Sequence, residues 1–175
     1  MSNVLIWKDS RLTAEDIAPW DDTTVMFVGP TTPLAEMVSD SAKWAQERGG
    51  SWRYLMIYCH GAPGFLQICK EGIALKNVTK LAPLSPYFDS VDIHACLIAK
   101  GTTGRAFCTK LAQVMVAPIA GAVSLQGNSG VATMYGWVDD SKYDGDYYLH
   151  DPSGARSGPL RSDSTTGGTV HPFVY

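Results

Sequence analysis

An α/β fold of the three-layer kind, a mostly parallel central sheet flanked by helices, follows from three features of the sequence. Short β-branched and aromatic runs recur along the chain and alternate with longer amphipathic stretches bounded by helix start and stop signals. The run Tyr54-Leu55-Met56-Ile57-Tyr58-Cys59 is apolar without alternation, as a strand covered on both faces requires. The chain has 175 residues, about one domain at roughly 150 residues per domain. Residues 1–175 therefore read as one unit, with 139–175 as a C-terminal hairpin and tail.

In chain order, Val4-Leu5-Ile6-Trp7 and Val25-Met26-Phe27-Val28 read as buried strands, the second closed by Gly29-Pro30. Leu34 to Arg48 carries apolar residues at Leu34, Met37, Val38, Ala42 and Ala45, with Glu36 early and Gly49-Gly50 beyond, and predicts a helix. The strand Tyr54 to Cys59 follows. Phe65 to Cys69, a Lys70-Glu71-Gly72 turn and Ile73 to Leu75 predict a small hairpin inserted on the sheet edge. Val91 to Cys96 predicts a strand, Gly101 to Gly104 a loop and Gly104 to Met115 a helix. Pro118 to Leu125 and Val131 to Val138 supply further strands, and Asp151-Pro152-Ser153-Gly154 a turn between Tyr147-Tyr148-Leu149 and a short return strand.

Composition narrows the function. Hydrophobic residues are 45% and charged residues 18% of the chain, a balance that excludes a wholly disordered or fibrous protein. Fourteen Lys plus Arg against seventeen Asp plus Glu leave a net charge of -3, without the basic surplus that drives nucleic-acid binding. The apolar runs fall far short of the ~20 residues of a membrane span, so no membrane partner is expected. The N-terminus is too short in apolar residues for a secretory signal, which predicts a cytoplasmic protein, with signal-independent export left open. The cysteines Cys59, Cys69, Cys96 and Cys108 lack CxxC spacing, which argues against a zinc ribbon. Cys69 and Cys108 read as core residues, and the five tryptophans as packing.

In open α/β sheets reactive groups collect beyond the carboxyl ends of the strands. Two strands end on reactive side chains: Tyr54 to Cys59 on His60-Gly61, and Val91 to Ala95 on Cys96. If those strands are adjacent and parallel, ~4.8 Å apart, imidazole and thiol share one edge of the sheet, as in a Cys-His dyad. Gly61, lacking a side chain, allows its N–H to approach an oxyanion closely.

The apolar strand ending in His60-Gly61, together with Ile93-His94-Ala95-Cys96, resembles the paired signatures of caspase-like (clan CD) cysteine peptidases. The succession of His60-Gly61, a glycine-containing hairpin, Cys96 and Gly101-Thr102-Thr103-Gly104 opening a helix is more similar still to bacterial DUF4347 and CHAT-like domains. The resemblance covers about residues 50 to 130 and implies a cysteine endopeptidase acting on a protein or peptide substrate. It implies Cys96 as nucleophile, His60 as general base and acid, and Gly61 with the Cys96 amide as oxyanion hole. It also implies substrate-binding residues in Ser124-Leu125-Gln126-Gly127, chiefly Ser124 and Gln126, no metal or other cofactor, and a place among bacterial toxins, effectors or defence systems.

Other readings stay open at this point. Cys96 is also readable as a small buried hydrophobe and His60 as a structural strand-end histidine. His94 is a rival base, two residues from Cys96 on a strand. Cys59, His60, His94 and Cys96 form a weaker zinc candidate, and Asp139, Asp140, Asp144 and Asp146 miss the EF-hand spacing. Lys100 and Arg105 flank the site as ordinary loop cations or as attractors of an acidic side chain. The functional alternative is a non-catalytic module of the same fold that binds a protein partner.

Overall fold

The computed structural model describes residues 4–12, 23–49, 52–124 and 146–161. Seven strands form the main sheet: β1 (Val4–Asp9), β2 (Thr23–Val28), β3 (Tyr54–Tyr58), β7 (Ser90–His94), β8 (Ile119–Ala122), β9 (Asp146–His150) and β10 (Arg156–Arg161). Their spatial order is β10-β9-β8-β7-β3-β1-β2. The five from β2 to β8 are parallel, and β9 and β10 run antiparallel to their neighbours as a C-terminal hairpin. This is the α/β architecture with a mostly parallel central sheet that the sequence predicts.

Two α-helices, α1 (Leu34–Glu47) and α2 (Gly101–Met115), and a 3-10 helix (Val78–Leu84) share one core with the sheet. Leu5, Trp7, Leu55, Ile57, Val91, Ile93 and Ile119 face this core from the strands, each at most 1% exposed. Phe107 enters it from α2 fully buried, a burial that contributes roughly 1.5–3 kcal/mol. α1 buries one polar residue on its apolar side: Ser41 accepts the buried Trp7 indole N–H at 2.9 Å and donates to the Met37 carbonyl at 2.8 Å. The opposite sheet face is covered as well, with Ile6, Met56 and Ala120 at 0–2% exposure. No helix among the described residues is long and apolar enough to cross a membrane.

The structure differs from the sequence reading in three respects. The expected hairpin is present as β5 (Phe65–Gln67) paired antiparallel with β6 (Ile73–Ala74), but β4 (His60–Ala62) adds to β5 and extends it to a three-stranded sheet. It is not on the sheet edge, because it grows from the end of β3, a central strand. Helix α2 starts at Gly101 rather than Gly104, since the Gly101-Thr102-Thr103 segment winds into its first turn. The expected strand Val131 to Val138 lies outside the described residues.

The insertion is fastened to α1 by its own turn. Lys70 N–H donates to the Thr32 carbonyl at 2.8 Å, and the Glu71 carboxylate accepts the Leu34 N–H at 2.9 Å, satisfying one orphan donor at the helix start. That hydrogen bond is the main reason the Glu71 carboxyl is held below its ordinary range. A depressed carboxyl stabilises the fold above its unfolded value, and the contribution disappears as pH falls through the folded value. Glu71→Ala should therefore lower the thermal midpoint at neutral pH, and melting curves should show the gap to the natural chain closing as pH is taken below the carboxylate range.

Candidate active site at the carboxyl ends of β3 and β7

Tyr54, Leu55, Met56, Ile57 and Tyr58 of β3 lie opposite Ser90, Val91, Asp92, Ile93 and His94 of β7 in parallel register. A last ladder bond, Cys59 N–H to the His94 carbonyl, is long at 3.5 Å, and there both chains leave the sheet on the same side. One continues into His60-Gly61, the other into Ala95-Cys96. Adjacency and parallel direction, the condition on which the dyad geometry depends, are both met.

His60 is exposed at the start of β4, and Cys96 is half-buried in the loop after β7. Between them the backbones touch. A side-chain carbon added at Gly61 would lie 2.8 Å from the Ala95 Cβ, 2.8 Å from the Cys96 carbonyl oxygen and 3.2 Å from the Cys96 nitrogen. Gly61 is thus required by close approach to the Cys96 peptide. The β4–β5 turn is Pro63-Gly64, and Gly64 at φ +73° fits the type II pattern of proline then glycine. Gly64 N–H donates to the Ile98 carbonyl at 3.1 Å, which ties the His60 segment to the Cys96 loop a second time.

The Cys96 loop is itself over-determined. Leu97 sits at φ +56°, a left-handed conformation that a branched side chain avoids. It is held there by its N–H donating to the Ser124 carbonyl at 2.9 Å and its carbonyl accepting from Lys100 N–H at 2.9 Å. Ala99 N–H reaches the Ala122 carbonyl at 2.9 Å, so the loop lies along the end of β8. At Gly104 an added carbon would fall 2.5 Å from the Ala99 carbonyl carbon and 2.6 Å from the Ile98 oxygen, which explains that buried glycine in the first turns of α2.

Of the four cysteines only Cys96 is not buried. Burial pushes the Cys59 thiol far up, the Cys108 thiol up to about 12, and the Cys69 thiol up as well. These three behave as the core residues expected of Cys69 and Cys108. The rival base His94 is 4% exposed, within β7, its ring stacked on Tyr58 with centroids 4.5 Å apart and planes 6° from parallel. Among the described residues no group of three or more His, Cys, Asp or Glu is placed to hold a metal ion. Of the acidic set, Asp139, Asp140 and Asp144 lie outside the described residues, and Asp146 opens β9. Lys100 and Arg105 are exposed beside and on α2. Ser124 is half-buried, its carbonyl on Leu97 and its Oγ accepting the Asp146 N–H at 3.3 Å; Leu125, Gln126 and Gly127 lie outside the described residues.

One charged pair escaped the sequence reading. Asp9, fully buried at the end of β1, accepts both the backbone N–H and the guanidinium of Arg11, whose Nε lies 2.9 and 3.0 Å from the two carboxylate oxygens. The bond to Asp9 raises the Arg11 guanidinium above its ordinary value. Arg11 also donates to the Gln67 carbonyl at 3.0 Å, so it pins β5 over the end of β1. Spacing of two residues with opposite charge is common in loops, and only burial marks this pair out.

Because the atoms facing Gly61 are backbone and a short methyl, they cannot swing aside. Gly61→Ala should cost on the order of 1–3 kcal/mol in urea unfolding, with the His60 segment displaced from Cys96.

The family model described as Domain of unknown function (DUF4347) matches residues 16–134, a span that includes both β3 and β7 and the loops that follow them. No curated protein and no solved structure matches the chain. The chain belongs to the DUF4347 family.

Proposed function

We propose that this protein is a caspase-like cysteine endopeptidase in which Cys96 attacks a peptide carbonyl and His60 moves the protons. The observation that carries the reading is the approach of Gly61 to the Cys96 peptide, so close that a β-carbon at position 61 would lie 2.8 Å from the Cys96 oxygen, which brings the His60 and Cys96 segments together from neighbouring strands. Cys96 being the one thiol outside the core supports it further, since a nucleophile must be reachable by substrate.

In this mechanism His60 takes the Cys96 proton as sulfur bonds to the carbonyl carbon, and the tetrahedral oxyanion collapses as His60 protonates the departing amine. Water, deprotonated by His60, then attacks the thioester; the carbon–sulfur bond breaks and the thiol is regenerated. Gly61 is the oxyanion donor. Ala62 and Phe65 close the two-residue turn, so antiparallel alternation leaves Gly61, opposite Leu66, with its N–H turned away from β5. Ser124 and Gln126 remain the proposed substrate-binding residues.

Brief exposure to limiting iodoacetamide near pH 6.5, read by peptide mass spectrometry, should label Cys96 at least about tenfold faster than the three buried thiols. Labelling should slow in His60→Ala, and cleavage of a peptide library should vanish in Cys96→Ala. Equal, slow labelling of all four thiols with no cleavage would instead fit a non-catalytic module that binds a protein partner.

A further inference from the structure

We propose that the C-terminal hairpin β9–β10 is an acid-sensitive latch that holds the backbone beside Cys96. Beyond the β8–β9 ladder, its connection to the Cys96 loop runs through three hydrogen bonds. Val123 N–H donates to the Asp146 carbonyl at 3.0 Å, Asp146 N–H donates to Ser124 Oγ at 3.3 Å, and the Ser124 carbonyl holds Leu97 N–H at 2.9 Å. Leu97 keeps its left-handed φ of +56° under these constraints and directly follows Cys96. When β9 leaves, Ser124 loses its anchor, and the strain at Leu97 favours a different path for the Cys96 loop.

The acid-sensitive element is His150, at the other end of β9. It lies between Ile119 of β8 and Arg156 of β10, fully buried, and neither ring nitrogen has a hydrogen-bond partner among the described residues. The described groups that act on it are cationic or apolar. Arg156 from β10 and Arg105 from α2 both act against a charge on its ring, Arg156 being seated over the Tyr148 ring at 3.4 Å. Ile119 of β8 is apolar, and Cys108 of α2 is neutral. On β9 itself Asp146 is a full strand length away, and Asp151 in the following turn is engaged by Ser153 N–H at 2.8 Å. No described carboxylate thus contacts the imidazole, and a second proton there has no acceptor.

Burial, with both arginines adding to it, lowers the His150 imidazole from 6.5 to about 4. In the opened hairpin it titrates at its ordinary value. Below that value the open form binds the proton and the closed form does not, so opening is favoured as pH falls from about 6.5 towards 4. Between pH 7 and 4.5 the opening equilibrium should rise about fiftyfold.

The consequence for activity rests on the reading of Cys96 as nucleophile, but the test does not. Hydrogen exchange of the full chain, expressed as protection factors, should show Leu97 and Val123 losing about fiftyfold protection together between pH 7 and 4.5, with Ile57 in β3 unchanged. His150→Leu should abolish the pH-dependent loss. Arg105→Gln, at an exposed site that tolerates the change, should reduce it by bringing the closed-state imidazole nearer its ordinary value. A fall at Val123 without one at Leu97 overturns the latch, and a fall of natural size in Arg105→Gln or His150→Leu overturns the role of His150. Loss of peptidase activity is read separately, so its absence alongside the predicted exchange pattern would fault the peptidase reading and leave the latch standing.

Discussion

Parallel pairing of β3 with β7, Tyr58 opposite His94, is the constraint on which the site depends. Strand spacing is fixed by backbone hydrogen bonding, so two neighbouring parallel strands of matched register deliver their following residues to one place. Here those residues are His60-Gly61 and Ala95-Cys96. Neither segment has an independent reason to approach the other; the sheet brings them together, and Gly61 lets them touch.

What surrounds this junction keeps it from relaxing. The insertion sheet is fixed at one corner by Arg11 between Asp9 and Gln67, and at another by Glu71 on the start of α1. The Asp9–Arg11 pair is bidentate and its carboxylate is fully buried, which makes it stiffer than exposed ion pairs such as Arg53 with Asp89. On the other side, Leu97, Ile98 and Ala99 each spend a backbone group on Ser124, Gly64 or Ala122. The loop that carries Cys96 is therefore held from two sides, by the end of β8 and by the β4–β5 turn, and these bonds hold its strained residue in place.

Local signals in the sequence account for most of the fold. β-branched runs marked β1, β2, β3 and β7, and the apolar spacing from Leu34 to Ala45 marked α1, because the side chains that make these elements also bury them. Ser41 was invisible as a core residue, since only its partnership with Trp7 makes a hydroxyl fit there. His60-Gly61-Ala62 has no strand propensity and becomes β4 through pairing with β5 alone. Asp92 and His94 interrupt the apolar pattern of β7, yet both are buried, His94 by stacking on Tyr58. At the candidate site, the positions of His60 and Cys96 just past the ends of β3 and β7 were legible from the apolar runs before them. The adjacency of their strands, the need for glycine at 61 and 104, and the tie from Ser124 to Leu97 were not, because each is a contact between distant parts of the chain.

The most direct test of the account is whether positions 60 and 96 meet in solution. In His60→Cys, mild oxidation should link the new thiol to Cys96, because paired strand ends lie within the separation a disulfide spans, and digestion should yield one peptide joining the two segments. Recovery of both thiols free under conditions that oxidise an unstructured dithiol would contradict the juxtaposition and, with it, the active site built upon it.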